Sequence, residues 1–269
     1  MRIARIVCGI EPGGHGIGAA ARAARIAPDE APLVLVGAAD IGAVAMAQPL
    51  GGDIDMGPMP AGPWTSLEDL EDAVRADLER AQAALAGRPG VATRIQVGSL
   101  APALEEVAGE AEGALLALEA SHEGRVLGIL DGDPGTWLLH ESSRPVLLAR
   151  GPEDPGDFPQ TVVAGVDGSA PSAVAAEAAG DIARRRGAEL RLIVARGGRG
   201  ADRDAVEELR ERLPAHELVE DRRNPVHALT GAGADLIVVG SRGLHGLRAL
   251  GSVSERVAHA AEASVLVAR

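Results

Sequence analysis

Lysine is absent from the 269 residues, so all 26 basic side chains are arginines, and 39 carboxylates outnumber them. The formal net charge is −13 and the pI is near 5.0. An acidic surface without basic clusters repels phosphate backbones, which argues against nucleic acid as a partner. The one arginine triplet, Arg184–Arg186, falls near the end of a predicted helix, where the dipole favours cations. Tyrosine is also absent, with one phenylalanine and two tryptophans. Hydrophobic residues nevertheless make up 46%, so the interior must be built from Ala, Val, Leu and Ile. A single cysteine, Cys8, lies in a predicted buried strand; it excludes an intramolecular disulfide and suits a reducing compartment. No run approaches the ~18 apolar residues of a membrane span. The opening "MRIARIVCGIEPGG" has a brief apolar run that ends at Glu11, and it reads as a first strand and not as a signal peptide. These absences together point to a cytoplasmic protein that crosses no membrane.

What is present is a repeat. "RIVCGIEPGGHGIGAAARAARIA" at 5–27 aligns with "TVVAGVDGSAPSAVAAEAAGDIA" at 161–183, placing Glu11 on Asp167. Each copy is a short apolar strand, a small-residue loop and an Ala-rich helix. The copies also end alike, in "PVLLAR" (145–150) and "SVLVAR" (264–269). Between them "RGPEDPGDFPQ" (150–160) carries the prolines and acids of a linker. We therefore expect a first domain over 1–150, a linker over 151–160 and a second domain over 161–269.

Within the second half, the pattern predicts strands at 161–167, 189–195, 217–221, 234–240 and 264–268. Helices are predicted at 171–186, 201–213, 225–232 and 252–263, with Val174, Ala178 and Ile182 on one stripe of the first. Strands near 3–10, 33–38, 92–97, 114–119 and 145–149 repeat the order in the first half. Nearly continuous apolar strands separated by helices mean sheets covered on both faces. The expected fold class is α/β: two tandem doubly wound, mostly parallel five-stranded sheets with right-handed crossovers. The first half carries an extra Gly-, Pro- and Met-rich connector at 41–64, either a packed loop or a ligand lid.

In such sheets, ligands bind beyond the carboxyl ends of the strands, where the winding reverses. The stretch "VVGSRGLHGLRALGSVSERV" (238–257) supplies a strand, a glycine loop and a helix start there. Gly240 and Gly243 allow close backbone approach. Ser252 opens the helix, with Glu255 three residues on as in a capping box. Free amides, the positive dipole end and the hydroxyls of Ser252 and Ser254 suit a phosphate. Ser252 alone would read as a helix cap; combined with spaced glycines after a buried strand, it reads as a phosphate contact. Asp167, at the tip of the first strand of this half, either accepts from a ribose or adenine or caps its own turn.

These residues resemble the universal stress proteins in their tandem form. Nucleotide-binding members carry Gly-x2-Gly, a nine-residue spacer, then Gly-Ser/Thr. This chain has Gly240-Ser-Arg-Gly243, a seven-residue spacer, then Gly251-Ser252-Val253-Ser254, and "GVDGS" at 165–169 matches as well. The resemblance implies an ATP site, possibly with Mg²⁺, in the second half. Val166, Asp167 and the backbone of Ala195 would meet adenine. Gly240, Gly243, Gly251, Ser252, Val253 and Ser254 would meet ribose and phosphates. It also implies that the last strands of the two halves pair as an intramolecular pseudo-dimer, that two chains could associate further, and that an unidentified protein partner exists.

The first half departs from that pattern: Glu119-x2-His122-x9-Gly132-Asp133 replaces two glycines and a hydroxyl. At an effective dielectric near 20, each carboxylate costs a phosphate about 4 kcal/mol at ~4 Å. A micromolar site has only about 8 kcal/mol to lose. Nucleotide is therefore expected in the second half only. "GHGIGA" (14–19), with Asp40 beyond, also fits a dinucleotide fingerprint, but Glu11-Pro12 intervenes and the second copy lacks it. Arg242 and His245 in the loop read either as phosphate contacts or as solvated positions. His122, His140, His216, His227 and His259 lack metal-ligand spacing, and Trp64 and Trp137 read as packing residues. No nucleophile–base pair declares itself. The reading is a nucleotide-binding regulatory protein, with a non-binding scaffold or a slow ATP hydrolase as alternatives.

Overall fold

The computed structural model describes residues 2–40, 66–120, 133–195, 197, 201–213, 217–241 and 252–269. The connector at 41–64, with Trp64, lies outside them, as do His122, Gly132, His216 and the loop 242–251. The strands are β1 (Arg5–Ile10), β2 (Leu33–Ala39), β3 (Val91–Val97), β4 (Ala114–Glu119), β5 (Val146–Ala149), β6 (Thr161–Gly165), β7 (Glu189–Ala195), β8 (Glu217–Asp221), β9 (Leu236–Gly240) and β10 (Ser264–Ala268). The helices are α1 (Ile17–Ile26), α2 (Leu67–Ala84), α3 (Leu100–Gly109), α4 (Pro134–Glu141), α5 (Ala170–Arg186), α6 (Arg203–Arg212), α7 (Pro225–Thr230) and α8 (Ser252–Ala260).

All ten strands form one sheet in the order β3-β2-β1-β4-β5-β10-β9-β6-β7-β8. Each half is parallel and winds outward in both directions from its first strand. The halves meet where β5 pairs β10 antiparallel, with Val146 opposite Val267, Leu147 opposite Leu266 and Leu148 opposite Val265. Leu147 and Leu266 hold the same place in the two copies, so a pseudo-two-fold axis passes between them.

Alternation along the strands divides the core into two layers that run through both halves. Ile6, Cys8, Ile10, Leu190, Leu192 and Val194 face α1, α2, α5 and α6. Val7, Leu116, Leu118, Ile193, Ile237 and Val239 face α3, α4, α7 and α8. With few aromatics, alanines let helices lie close on the sheet: Ala175, Ala176, Ala179 and Ala183 of α5 are all buried. Val174, read as part of that stripe, is only partly buried at its margin. Cys8 is a free, fully buried thiol, and burial, reinforced by Glu119, pushes its pKa far above the ordinary value. It is chemically inert there.

The arginine triplet does end its helix, and two of its members also reach the other half. Arg185 Nη2 donates to the Ile26 carbonyl at 2.6 Å, and Arg186 donates to the carbonyls of Arg25 and Ala24 while pairing with Asp29 at 3.0 Å. Arg88 adds bonds to Ala24, Pro28 and Ala31. The open carbonyls that end α1 are thus met by guanidinium groups from both halves. In the linker, Phe158 is buried under the guanidinium of Arg22, 5.5 Å from the ring centre.

Candidate functional site

The parallel strands of each half direct their carboxyl ends to one edge, and the loops and helix starts above β1 and β6 hold corresponding places there, a first and a second candidate cleft. Their chemistry differs.

In the first cleft, the glycine loop after β1 is strained into shape. Gly13, Gly14 and Gly16 all have positive φ, and a Cβ on Gly16 would stand 2.2 Å from the Gly9 carbonyl oxygen. Such a loop offers amides to an anion, and the protein supplies the anions itself. Gly13 N donates to Asp77 Oδ2 at 2.9 Å, from the middle of α2, and Gly16 N donates to Glu119 Oε2 at 2.6 Å, from the tip of β4. Asp133 caps α4, accepting from Thr136 N at 2.7 Å. The "GHGIGA" fingerprint therefore has one of its amides, that of Gly16, and the amide of Gly13 just before it committed to carboxylates, while Asp40 accepts from the Ser99 hydroxyl at 3.1 Å. Beside the loop, Ile10, Ala38, Leu70 and Leu100 line a cavity of about 180 Å³ together with Glu11 and Asp40. Burial raises the pKa of Glu11; Asp133 and Glu119 add to that, and His15 opposes it. Glu11, Asp40, Glu119 and Asp133 thus set carboxyl groups about this cleft, which disfavours phosphate.

The second cleft gathers several of the expected ligand residues. β6 lies between β7 and β9, so Asp167, Ala195 and Gly240 stand at neighbouring strand ends. Val166 is buried, its N–H bonded to the Ile193 carbonyl at 2.9 Å. Asp167 Oδ1 accepts from Ser169 N at 3.0 Å and from the Ser169 hydroxyl at 2.6 Å, the local turn that remained open from sequence. Desolvation would raise its pKa, but the bonds from Ser169 and Ser172 outweigh it and leave the group lowered, hence firmly ionised. Ser169 then caps α5.

Two motif positions also serve the fold. A Cβ on Gly240 would stand 2.1 Å from the Pro171 carbonyl oxygen, so glycine is required where β9 passes the start of α5. Ser254, buried, donates its hydroxyl to the Gly240 carbonyl at 2.6 Å, tying the first turn of α8 to the end of β9. Val253 packs against the core layer beneath α8. Ser252 begins α8, while Gly243, Gly251, Arg242, His245 and the Ser252 side chain lie outside the described residues. Glu255 sits in the first turn of α8, 3.6 Å from His140 of the other half.

Asp77 was not singled out from sequence, because its role depends on α2 crossing the first-half loop. The pair Arg150 and Arg269 was also passed over, although their matching places at the ends of the two copies were in view.

A parallel sheet wound both ways, repeated about an antiparallel seam, with loops and helix starts gathered over its carboxyl edge, defines a tandem doubly wound α/β protein. The universal stress protein family model matches residues 159–269. A universal stress protein of Mycolicibacterium smegmatis is 32% identical over 244 residues, covering 78% of this chain and 82% of that protein. One from Mycobacterium tuberculosis H37Rv is 30% identical over 243 residues, covering 79% and 80%. A crystal structure of a universal stress protein from Archaeoglobus fulgidus superposes with a TM-score of 0.70 at 18% identity, over 99% of this chain and 97% of that one. The chain belongs to the universal stress protein family.

Proposed function

We propose that this is a cytoplasmic regulatory protein of the stress response that binds ATP in residues 161–269, treated as one domain. Residues 1–150 form a second domain that carries no nucleotide, and 151–160 join the two. The observation that supports this reading is the inequality of the clefts. Where Glu119 occupies a loop amide and Asp133 a helix start in the first half, the aligned residues of the second are Gly240 and Ser252. Neither brings a negative charge to meet a phosphate. At about 4 kcal/mol for each such meeting, the two together come to about 8 kcal/mol, the whole binding free energy of a micromolar site.

In this reading Asp167, Val166 and Ala195 line the adenine end. Gly240, Gly243, Gly251, Ser252 and Val253 face ribose and phosphates, and Ser254 serves at least in part by holding Gly240. Any Mg²⁺ would arrive with the phosphates: among the described residues no group of three His, Cys, Asp or Glu side chains is placed to hold a metal unaided. Occupancy would act by altering contacts with a protein partner, and any hydrolysis would be slow and incidental.

The structural duties of Gly240 and Ser254, with the shortened spacer, favour a scaffold without nucleotide as the second reading. Titration with a fluorescent ATP analogue separates them. Saturable binding that Gly243→Asp abolishes upholds the proposal, and no binding at millimolar nucleotide replaces it with the scaffold. Steady turnover above ~1 s⁻¹ would instead make the protein an enzyme.

A further inference from the structure

The seam between the halves holds two histidines in corresponding places. His140 and His259 lie at the same distance in sequence from Arg150 and Arg269, the arginines that end the two copies. Each arginine reaches across the pseudo-two-fold axis to the last helix of the opposite half. Arg150 Nη2 donates to the Ala258 carbonyl at 2.6 Å, and Arg269 Nη2 donates to the Leu139 carbonyl at 2.5 Å. Each histidine thus follows directly on the carbonyl that the crossing arginine holds.

The ring nitrogens decide what acid would do there. His140 turns Nε2 toward Glu255 Oε1 at 3.6 Å, while its Nδ1 is fully enclosed without a hydrogen-bond partner among the described residues. His259 has Nε2 enclosed without a partner in the same way. A neutral imidazole tolerates this, because one nitrogen carries no proton. At His259 a second proton would put an N–H in an enclosed place with no acceptor among the described residues.

The charges around His259 come from every side. Asp133 and His140 belong to α4 and its cap, Arg150 follows β5, and Glu255 is one turn earlier on α8. His227 of α7, which packs on α8, is exposed and bonded to Asn224. Burial is the largest influence and lowers the pKa of His259, with Glu255 and Asp133 opposing and Arg150 and His140 assisting.

We infer that this seam is an acid-sensitive joint, in which protonation of His259 loosens α8 from α4 while both halves remain folded. The lowered group gives the sign. The unfolded chain takes up the proton near pH 6.5, before the folded one does. The seam is therefore at full strength above that pH, and it weakens as pH falls through 6.5 toward the folded value.

Hydrogen exchange of the full chain at pH 7.5 and 5.5, corrected for intrinsic rates, tests this. We expect severalfold faster exchange in α8 and in the β5 and β10 amides at pH 5.5, with β1 and β6 unchanged. His259→Gln should flatten that change, whereas His140→Gln should leave most of it in place. Uniform acceleration across the sheet, no acceleration at α8, or an equal response in both variants would overturn the joint. The wild-type map alone decides if neither variant folds.

Discussion

At the scale of single residues, the same backbone position does opposite things in the two copies, and the side chain decides which. Glu11 and Asp167 align, yet burial among Asp133 and Glu119 raises the first, whereas the Ser169 and Ser172 bonds lower the second. A carboxyl whose pKa is raised on folding opposes stability above its folded value and ceases to do so below about pH 4.5, where it is protonated in both states. Glu11→Gln should therefore stabilise the protein at pH 7, and the gain should shrink as pH falls toward 4.5. Thermal midpoints of the two proteins across that range would show it; a constant gap would mean that the carboxylate charge is not the cause. The alignment of Glu11 with Asp167 was plain in sequence, as were the two carboxylates of the first cleft. What they do was not, because Gly16 meets Glu119 and Gly13 meets Asp77 only once the sheet order brings them together.

At the scale of elements, strand and helix positions were legible because each has a strong local signal. The predicted and observed second-half strands differ by at most two residues at either end. The signal is the near-continuous apolar run of a strand buried on both faces. Contacts between elements had no such signal. The arginine triplet reads from sequence as the end of its own helix, yet Arg185 and Arg186 complete the end of α1 as well.

The two seam arginines show how unequal such contacts can be. Arg150 meets the Ala258 and Ala263 carbonyls, whereas among the described residues Arg269 hydrogen-bonds Leu139 alone and leaves Nε and Nη1 enclosed without hydrogen-bond partners. Burial, offset in part by Glu105, lowers the pKa of Arg269 to about 10, so it remains charged at neutral pH. Removing a hydrogen bond from a charged group costs about 1.5–3 kcal/mol. Replacing a poorly satisfied buried charge by an apolar chain is often neutral or stabilising. Arg150→Met should therefore cost about 1.5–3 kcal/mol, and Arg269→Met close to nothing. Urea denaturation of the two variants measures the difference, and equal costs would refute the asymmetry.

At the scale of the whole molecule, one seam turns two five-stranded sheets into a ten-stranded one, and its symmetry has a consequence for a separated half. β5 and β10 pair about the point between Leu147 and Leu266, which are equivalent residues, and the strands read "VLLA" and "VLVA". A fragment of residues 155–269 would leave β10 with an unpaired edge and a row of buried apolar side chains, Val265, Leu266 and Val267, exposed to water. A second copy of the same fragment offers the missing strand, with Leu266 opposite Leu266 on a true two-fold axis. Arg269 of each copy would then reach the Ala258 carbonyl of the other, as Arg150 does in the intact chain. The fragment should accordingly behave as a homodimer by light scattering at micromolar concentration. Leu266→Arg, which places two cations face to face at the axis, should dissociate that dimer, while in the full chain the substitution meets Leu147 instead. A fragment that folds and stays monomeric would mean that the seam holds only because the linker keeps its two strands together.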